Sequence, residues 1–150
     1  MPLSAAKEFF SDPNNLVKIS PTYLNMKLSG DVVTEEGKEF DISMHPFGLP
    51  IALKWTSRIA DVIETEDIFE FKDIQVKGPF KSWTHSHRFV AGTKKIGDAS
   101  MAEAGTWFYD LVEYEFSVDL AGVLDALVLK RILSQMFSHR KKALREHFAL

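Results

Sequence analysis

Apolar and polar residues alternate along much of the chain before residue 117, which is the pattern of β-strands that bury one face. The first alternation places Leu24, Met26 and Leu28 on one face of a strand. Glycine, proline or acidic residues separate this strand from five further candidates, at residues 40–45, 53–63, 68–76, 81–90 and 106–116. Six strands joined by short connections predict an antiparallel meander.

The last part of the chain has a different period. Residues 122–148 contain no proline and repeat apolar side chains at helical spacing, namely Leu129, Ile132, Leu133, Met136, Phe137, Leu144 and Phe148. They predict one helix roughly 40 Å long at 1.5 Å per residue. Shorter helices are predicted at residues 4–10 and 16–19, on either side of a turn-forming segment at 11–15. A long helix laid over an antiparallel sheet predicts an α+β fold.

Composition narrows the class of protein. The 150 residues, 45% of them hydrophobic, are enough for one compact domain spanning residues 1–150. A net charge of −3 disfavours nucleic acid as a partner, and the absence of cysteine excludes disulfides, thiolate nucleophiles and thiolate metal ligands. No apolar run reaches the roughly 20 residues of a membrane-spanning helix, and residues 1–10 lack a signal-peptide core. We expect a cytoplasmic protein without stable membrane insertion.

The strand predicted within residues 78–89 is the most informative part of the chain. One of its faces carries both imidazoles together with large aromatic side chains: Trp83, His85, His87 and Phe89. Imidazoles that point into an apolar interior are costly unless they are hydrogen-bonded. This face is therefore either a satisfied part of the core or the wall of a binding cavity, and the sequence leaves both interpretations open.

Two charged residues are predicted to face the same interior. Asp110 alternates with Phe108 and Val112, so it points inward on the last strand. If residues 81–90 and 106–116 form a hairpin closed by a loop at 91–105, Asp110 lies close to His85 or His87. Arg140 falls within the apolar stripe of the long helix, where an unpaired guanidinium is unfavourable. It is expected to pair with an inward carboxylate such as Asp110 as a structural ion pair, to bind an acidic group of a ligand, or to extend to the mouth of a cavity.

The other candidate binding residues and motifs are less specific. A His-x-His pair suits a metal ion but needs further ligands, and only His45, Asp110 and His147 are available, so we expect no metal and no cofactor. Trp55, Trp83 and Met136 are typical of core packing unless a cavity lies beside them. No glycine-rich nucleotide loop, nucleophile elbow or His-Glu-x-x-His motif occurs.

Several local strings, in this order, match a known family. They are residues 9–16, residues 19–21, Gly48-Leu49-Pro50 followed by Trp55, residues 73–80, Trp83-x-His85-x-His87-x-Phe89, Asp110-x-Val112-x-Tyr114, and residues 136–140. Together they span nearly the whole chain. The sequence resembles the helix-grip, START-like superfamily, also called SRPBCC, and specifically its small bacterial ligand-binding branch related to polyketide cyclases and dehydrases.

The resemblance implies a curved antiparallel sheet that grips the C-terminal helix around a hydrophobic cavity. It implies binding of a hydrophobic small molecule, such as a lipid or a polyketide, by lining residues Trp55, Trp83, His85, His87, Asp110, Tyr114, Met136 and Arg140. The alternative is a cyclase-like or dehydratase-like enzyme. In that enzyme His85 or His87, oriented by Asp110, would remove a proton next to a carbonyl group, and Arg140 or Tyr114 would stabilise the oxyanion.

The chain departs from this family at two places. Relatives usually begin with a strand before the first helix, whereas this chain begins almost inside that helix. The sheet is therefore expected to lack one strand or to have an exposed edge, through which a homodimer could form. Relatives also often carry an aromatic residue at the position of His139, so no role is assigned to that side chain.

Overall fold

The computed structural model describes residues 1–48, 52–95, 102–116 and 123–149. These residues form an α+β fold with two short N-terminal helices, a six-stranded antiparallel sheet and a long C-terminal helix. The helices are α1 (Leu3–Phe10), α2 (Asn14–Lys18) and α3 (Val123–His147). The strands are β1 (Lys27–Gly30), β2 (Glu39–Met44), β3 (Leu53–Glu64), β4 (Ile68–Lys77), β5 (Phe80–Lys95) and β6 (Ala102–Phe116).

Each strand pairs antiparallel with the next in the chain, giving the order β1-β2-β3-β4-β5-β6. The predicted meander is therefore confirmed over the described residues. The β5–β6 ladder is long and regular, from Ser82 opposite Glu115 to Lys95 opposite Ala102. Among the described residues, no helix is both long enough and apolar enough to cross a bilayer.

The core lies between the inner face of the sheet and helices α1 and α3. Successive side chains of a strand point to opposite faces, and the buried residues of the inner strands accordingly lie two apart, as at Ser57 and Ile59 of β3, Phe69 and Phe71 of β4, and Trp83, His85, His87 and Phe89 of β5. Helix α3 presents buried side chains at spacings of three and four residues: Leu133, Met136, Arg140 and Leu144. At the end of α1, the Phe10 ring lies 4.6 Å from the Phe89 ring and 5.3 Å from the Phe108 ring, measured between centroids. Helix α1 therefore closes one end of the layer.

Two predicted boundaries differ from the structure. The first strand begins at Lys27, because Leu24 ends a short 3-10 turn and Asn25 adopts a left-handed conformation, φ 43°, that interrupts the extended chain. The loop predicted at residues 91–105 is shorter, because β5 and β6 continue to Lys95 and Ala102. The predicted helix start at residue 122, the loop residues 96–101 and two residues of the string at 48–50 lie outside the described residues.

The shortened loop has a local cause. Gly92 and Gly105 fall within the predicted loop, yet they lie directly opposite each other in the β5–β6 ladder. A Cβ atom on Gly92 would lie 2.7 Å from Nε1 of Trp107, so the indole ring occupies the space above this glycine. Here glycine permits a close side-chain approach within the sheet instead of ending the strand.

Candidate functional site

A cavity of about 60 Å³ lies between the inner face of the sheet, helix α3 and the α1–α2 segment. Most of the side chains around it are apolar or aromatic: Phe10, Pro13, Leu16, Met26, Phe40, Ile42, Trp55, Ile59, Phe71, Trp83 and Met136. Its buried polar wall consists of Asp73, His85, His87 and Arg140. The cavity is thus mainly apolar, and its histidines lie together with Asp73 and Arg140.

The strand register brings the polar residues together. His85 and His87 are buried on the inner face of β5, with relative exposures of 6% and 5%. On β4, Asp73 pairs directly with His85, and on β6, Asp110 pairs directly with His87. Residues directly opposite each other in adjacent strands point to the same face. The two imidazoles therefore lie between two carboxylates supplied by the neighbouring strands.

Each imidazole contacts both carboxylates. Nε2 of His85 donates a hydrogen bond to Oδ1 of Asp110 over 2.5 Å, and Nδ1 of His87 lies 3.3 Å from the same oxygen. On the opposite side, Oδ2 of Asp73 lies 3.4 Å from Nδ1 of His85 and 3.5 Å from Nε2 of His87. The two rings are 3.8 Å apart, measured between centroids. We refer to Asp73, His85, His87 and Asp110 as the His-Asp cluster.

Residues outside the cluster hold the carboxylates in place. The hydroxyl of Ser57 donates to Oδ1 of Asp73 over 3.0 Å, and Nη1 of Arg140 lies 3.4 Å from Oδ2 of Asp110. The Arg140 guanidinium is 2% exposed and lies 4.9 Å from the centroid of the Phe137 ring. Arg140 therefore links helix α3 to the sheet through the Asp110 carboxylate, which is one of the alternatives that the sequence left open.

The surroundings shift the pKa values of the cluster. Burial alone would raise the pKa of Asp110, but the hydrogen bond from His85 and the charge of Arg140 outweigh it and hold that pKa well below its usual range. For Asp73, contacts with both histidines likewise overcome the effect of burial and lower the pKa. Burial and the neighbouring His85 lower the pKa of His87 to about 4. At neutral pH both carboxylates are ionised and His87 is uncharged.

Three buried nitrogens in the described part of the chain make no hydrogen bond: Trp83 Nε1, His87 Nδ1 and Arg140 Nε. The indole and guanidinium nitrogens are donors only. Both Trp83 and Arg140 line the cavity. Buried donors in proteins nearly always have a partner, so these two donors are exceptions in the wall of the cavity.

The structure brings most of the predicted site residues together. Trp55, Trp83, His85, His87, Met136 and Arg140 line the cavity. Asp110 lies behind the histidines and, with Tyr114, borders a separate depression beside α3. Tyr114 packs against Trp83, with ring centroids 6.0 Å apart. The sequence reasoning missed Asp73, although its alternation with Phe69 and Phe71 on β4 would have placed it on the inner face.

No protein-family model, curated protein or solved structure gives a significant match to this chain.

Proposed function

We propose that the protein binds an apolar small molecule that carries one hydrogen-bond acceptor, such as a carbonyl or carboxylate group. Ligand sites are usually concave and apolar, with a few polar groups that fix the orientation of the ligand. The cavity fits this description, since its buried polar residues occupy one part of an otherwise aromatic and aliphatic wall. The observation that carries the proposal is the pair of buried donors without partners, Trp83 Nε1 and Arg140 Nε.

The proposal includes the helix-grip arrangement implied by the family resemblance. The antiparallel meander, the long helix α3 and the inward imidazoles of β5 support it. In that arrangement the ligand would lie between the sheet and the helix. Lipids and polyketides remain the proposed ligand classes, because the wall offers aromatic and methionine surface to a flexible apolar molecule.

The size of the cavity limits which ligands can bind without a change in the structure. A volume of about 60 Å³ is far below the roughly 300–1,000 Å³ of pockets that hold drug-sized ligands. A small ligand fits with little change, whereas a lipid or polyketide requires the cavity to open. Met136 has an unbranched, flexible side chain and lies on the wall formed by α3. Rotation of this side chain is therefore the simplest way to enlarge the cavity.

Ligand binding can be tested directly. Native mass spectrometry and solvent extraction of freshly purified protein would identify a molecule that co-purifies. NMR titrations with hexanoic acid, hexanal and hexane would then show whether an acceptor group strengthens binding. Met136→Trp fills the cavity and is expected to abolish binding, whereas Ser138→Trp, at an exposed position of α3, is expected to preserve it. A wild-type protein that neither carries nor takes up any of these molecules would overturn the proposal.

A second candidate is an enzyme that removes a proton next to a carbonyl group. The short hydrogen bond between His85 and Asp110 favours it, because a carboxylate that orients an imidazole is a common acid-base arrangement. This candidate predicts turnover of a carbonyl substrate that is lost in His85→Gln while binding persists. If the bound molecule is recovered unchanged from wild type, the binding function alone remains.

A further inference from the structure

We propose that Asp73, His85 and His87 form a binding site for a divalent transition-metal ion on the wall of the cavity. The sequence led us to expect no metal, because only His45, Asp110 and His147 were available as further ligands beside the His-x-His pair. Asp73 supplies a further ligand from β4, where it pairs directly with His85. One ligand atom from each of the three residues lies within 4.8 Å of the other two.

The distances around Asp73 fit the spacing of ligands around a metal ion. Oδ2 of Asp73 lies 3.4 Å from Nδ1 of His85 and 3.5 Å from Nε2 of His87, so both contacts are long. Ligands at about 2.0–2.2 Å from a tetrahedral zinc ion are about 3.3–3.6 Å from one another. An ion placed between the three side chains therefore needs little movement of the carboxylate relative to either ring.

In each of the three side chains, the polar atom that points away from the proposed metal position already contacts another residue. Nε2 of His85 donates to Asp110, and Nδ1 of His87 faces the same carboxylate oxygen at 3.3 Å. Oδ1 of Asp73 accepts a hydrogen bond from Ser57. Metal-binding histidines almost always direct their second nitrogen to a carboxylate, a carbonyl group or water, which orients the ring and fixes its tautomer. With Nε2 of His85 donating, its Nδ1 presents a lone pair towards Asp73.

Charge balance also favours a cation. The His-Asp cluster contains two carboxylates, Asp73 and Asp110, and among the described residues Arg140 contacts Asp110 but not Asp73. Buried charges are costly unless they are paired. A divalent ion beside Asp73 would pair the carboxylate that Arg140 does not reach.

The ligand set indicates which metals fit. Two imidazole nitrogens with one carboxylate suit zinc and ferrous iron, which keep further positions open for water or substrate, whereas magnesium and calcium prefer oxygen ligands. All three residues also line the cavity, so the open position would face it. An acceptor group of a ligand could then reach the metal, although the metal site does not depend on the proposed ligand.

The site can be tested on the purified protein after treatment with a chelator. Cobalt(II) is expected to bind one equivalent with visible absorption bands that added zinc removes, and zinc should raise the melting temperature. His85→Gln/His87→Gln and Asp73→Asn are each expected to weaken binding at least tenfold. His139→Gln changes an exposed histidine of α3 and should bind like wild type. Equal binding by wild type and the double variant would overturn the proposal.

A measurement on wild type covers the case in which these variants do not fold. Cobalt(II) is expected to shift or broaden the imidazole resonances of His85 and His87, while those of His45 and His139 remain unchanged. Shifts confined to other histidines, or no saturable effect, would contradict the site. Titration of metal-free protein with hexanoic acid tests the apolar cavity separately, so failure of the metal site and failure of the proposed function are distinguishable.

Discussion

The carboxylate of Asp110 and the imidazole of His85 lie on neighbouring strands, with Oδ1 and Nε2 only 2.5 Å apart. The second oxygen of the same carboxylate lies 3.4 Å from Arg140, so Asp110 contacts the sheet and helix α3 at once. Both partners are almost fully buried, with relative exposures of 6% for His85 and 2% for Arg140. The geometry makes Asp110 the residue on which the attachment of α3 to the polar wall depends.

Asp110→Asn is expected to destabilise the protein by about 3 kcal/mol, because breaking a buried ion pair leaves the remaining charge without compensation. Here the uncompensated charge is that of Arg140. Urea unfolding measures the effect. Glu113→Gln is the matched control, since Glu113 is exposed on the same strand. An Asp110→Asn variant as stable as this control would show that the ion pair contributes little.

A double variant separates the ion pair from the packing of Asp110. Asp110→Asn combined with Arg140→Met removes both charges and leaves apolar surface in the helix stripe. We expect it to be more stable than Asp110→Asn alone, because a charge pair replaced by apolar groups is often nearly neutral. Equal or lower stability of the double variant would point to packing as the main role of Arg140.

Metal-free protein is expected to lose stability as the pH falls from about 6.5 to about 4. The pKa of His87 is lowered to about 4, so in this window the unfolded chain binds a proton that the folded chain does not. The charged and titratable groups facing His87 are Asp73, His85 and Asp110, with Arg140 behind Asp110. Both aspartates have lowered pKa values, so their contribution is lost only at lower pH.

Urea unfolding at several pH values measures this dependence. The slope of stability against pH should be smaller in His87→Gln, whatever the absolute stability of that variant. His139→Gln serves as the control, because His139 is exposed. A wild-type protein equally stable at pH 6.5 and pH 4.5 would contradict an uncharged His87 in the folded state.

Phe89→Ala is expected to cost about 3–5 kcal/mol, which is typical of truncating a fully buried aromatic side chain. Phe89 is 0% exposed, and its ring lies between those of Phe10, Phe69 and Phe108, at 4.6, 5.7 and 4.5 Å. Leu111→Ala is the control, because Leu111 is 58% exposed on the outer face of β6. Its effect should stay within about 0.5 kcal/mol. A similar loss in both variants would mean that the aromatic layer does not form the core.

Alternation along the strands was enough to predict which face His85, His87 and Asp110 share, because a period of two residues assigns a face without any knowledge of the tertiary structure. The same reasoning predicted a hairpin contact of Asp110 with His85 or His87, and the structure shows contacts with both. Asp73 was missed because only one neighbour of β5 was considered. The flanking Glu70 and Lys72 mark the outer face of β4, so the required information was present in the sequence.

Other features could not be predicted from the pattern. Leu24 has the apolar period of a strand, but the left-handed conformation of Asn25 depends on how the chain packs. Gly92 is typical of a turn, and the ring of Trp107 beside it explains its place inside a ladder. Tyr114 does point inward, but Trp83 rather than the cavity is its neighbour, which depends on ring sizes rather than on alternation. Alternation therefore predicts the face on which a side chain lies, but not which neighbouring side chains it contacts.

The outer side of β6 leads to the last prediction. In the described part of the chain β6 pairs with β5 alone, and it is fifteen residues long. Its outward side chains Trp107, Tyr109 and Leu111 are 62%, 56% and 58% exposed. Long apolar edge strands readily pair with another chain. We expect β6 of a second copy to pair antiparallel with β6 of the first. This pairing has twofold symmetry, as most homodimers do.

Tyr109 lies at the centre of β6, so in a symmetric pair it faces its own copy. Tyr109→Lys places two like charges opposite each other and is expected to weaken dimerisation roughly tenfold. Val76→Lys, at an exposed position of the inner strand β4, should have no effect. Sedimentation velocity over a range of concentrations measures both variants against wild type. A wild-type chain that remains monomeric at the highest concentration, or a dimer that tolerates Tyr109→Lys, would exclude pairing through this edge.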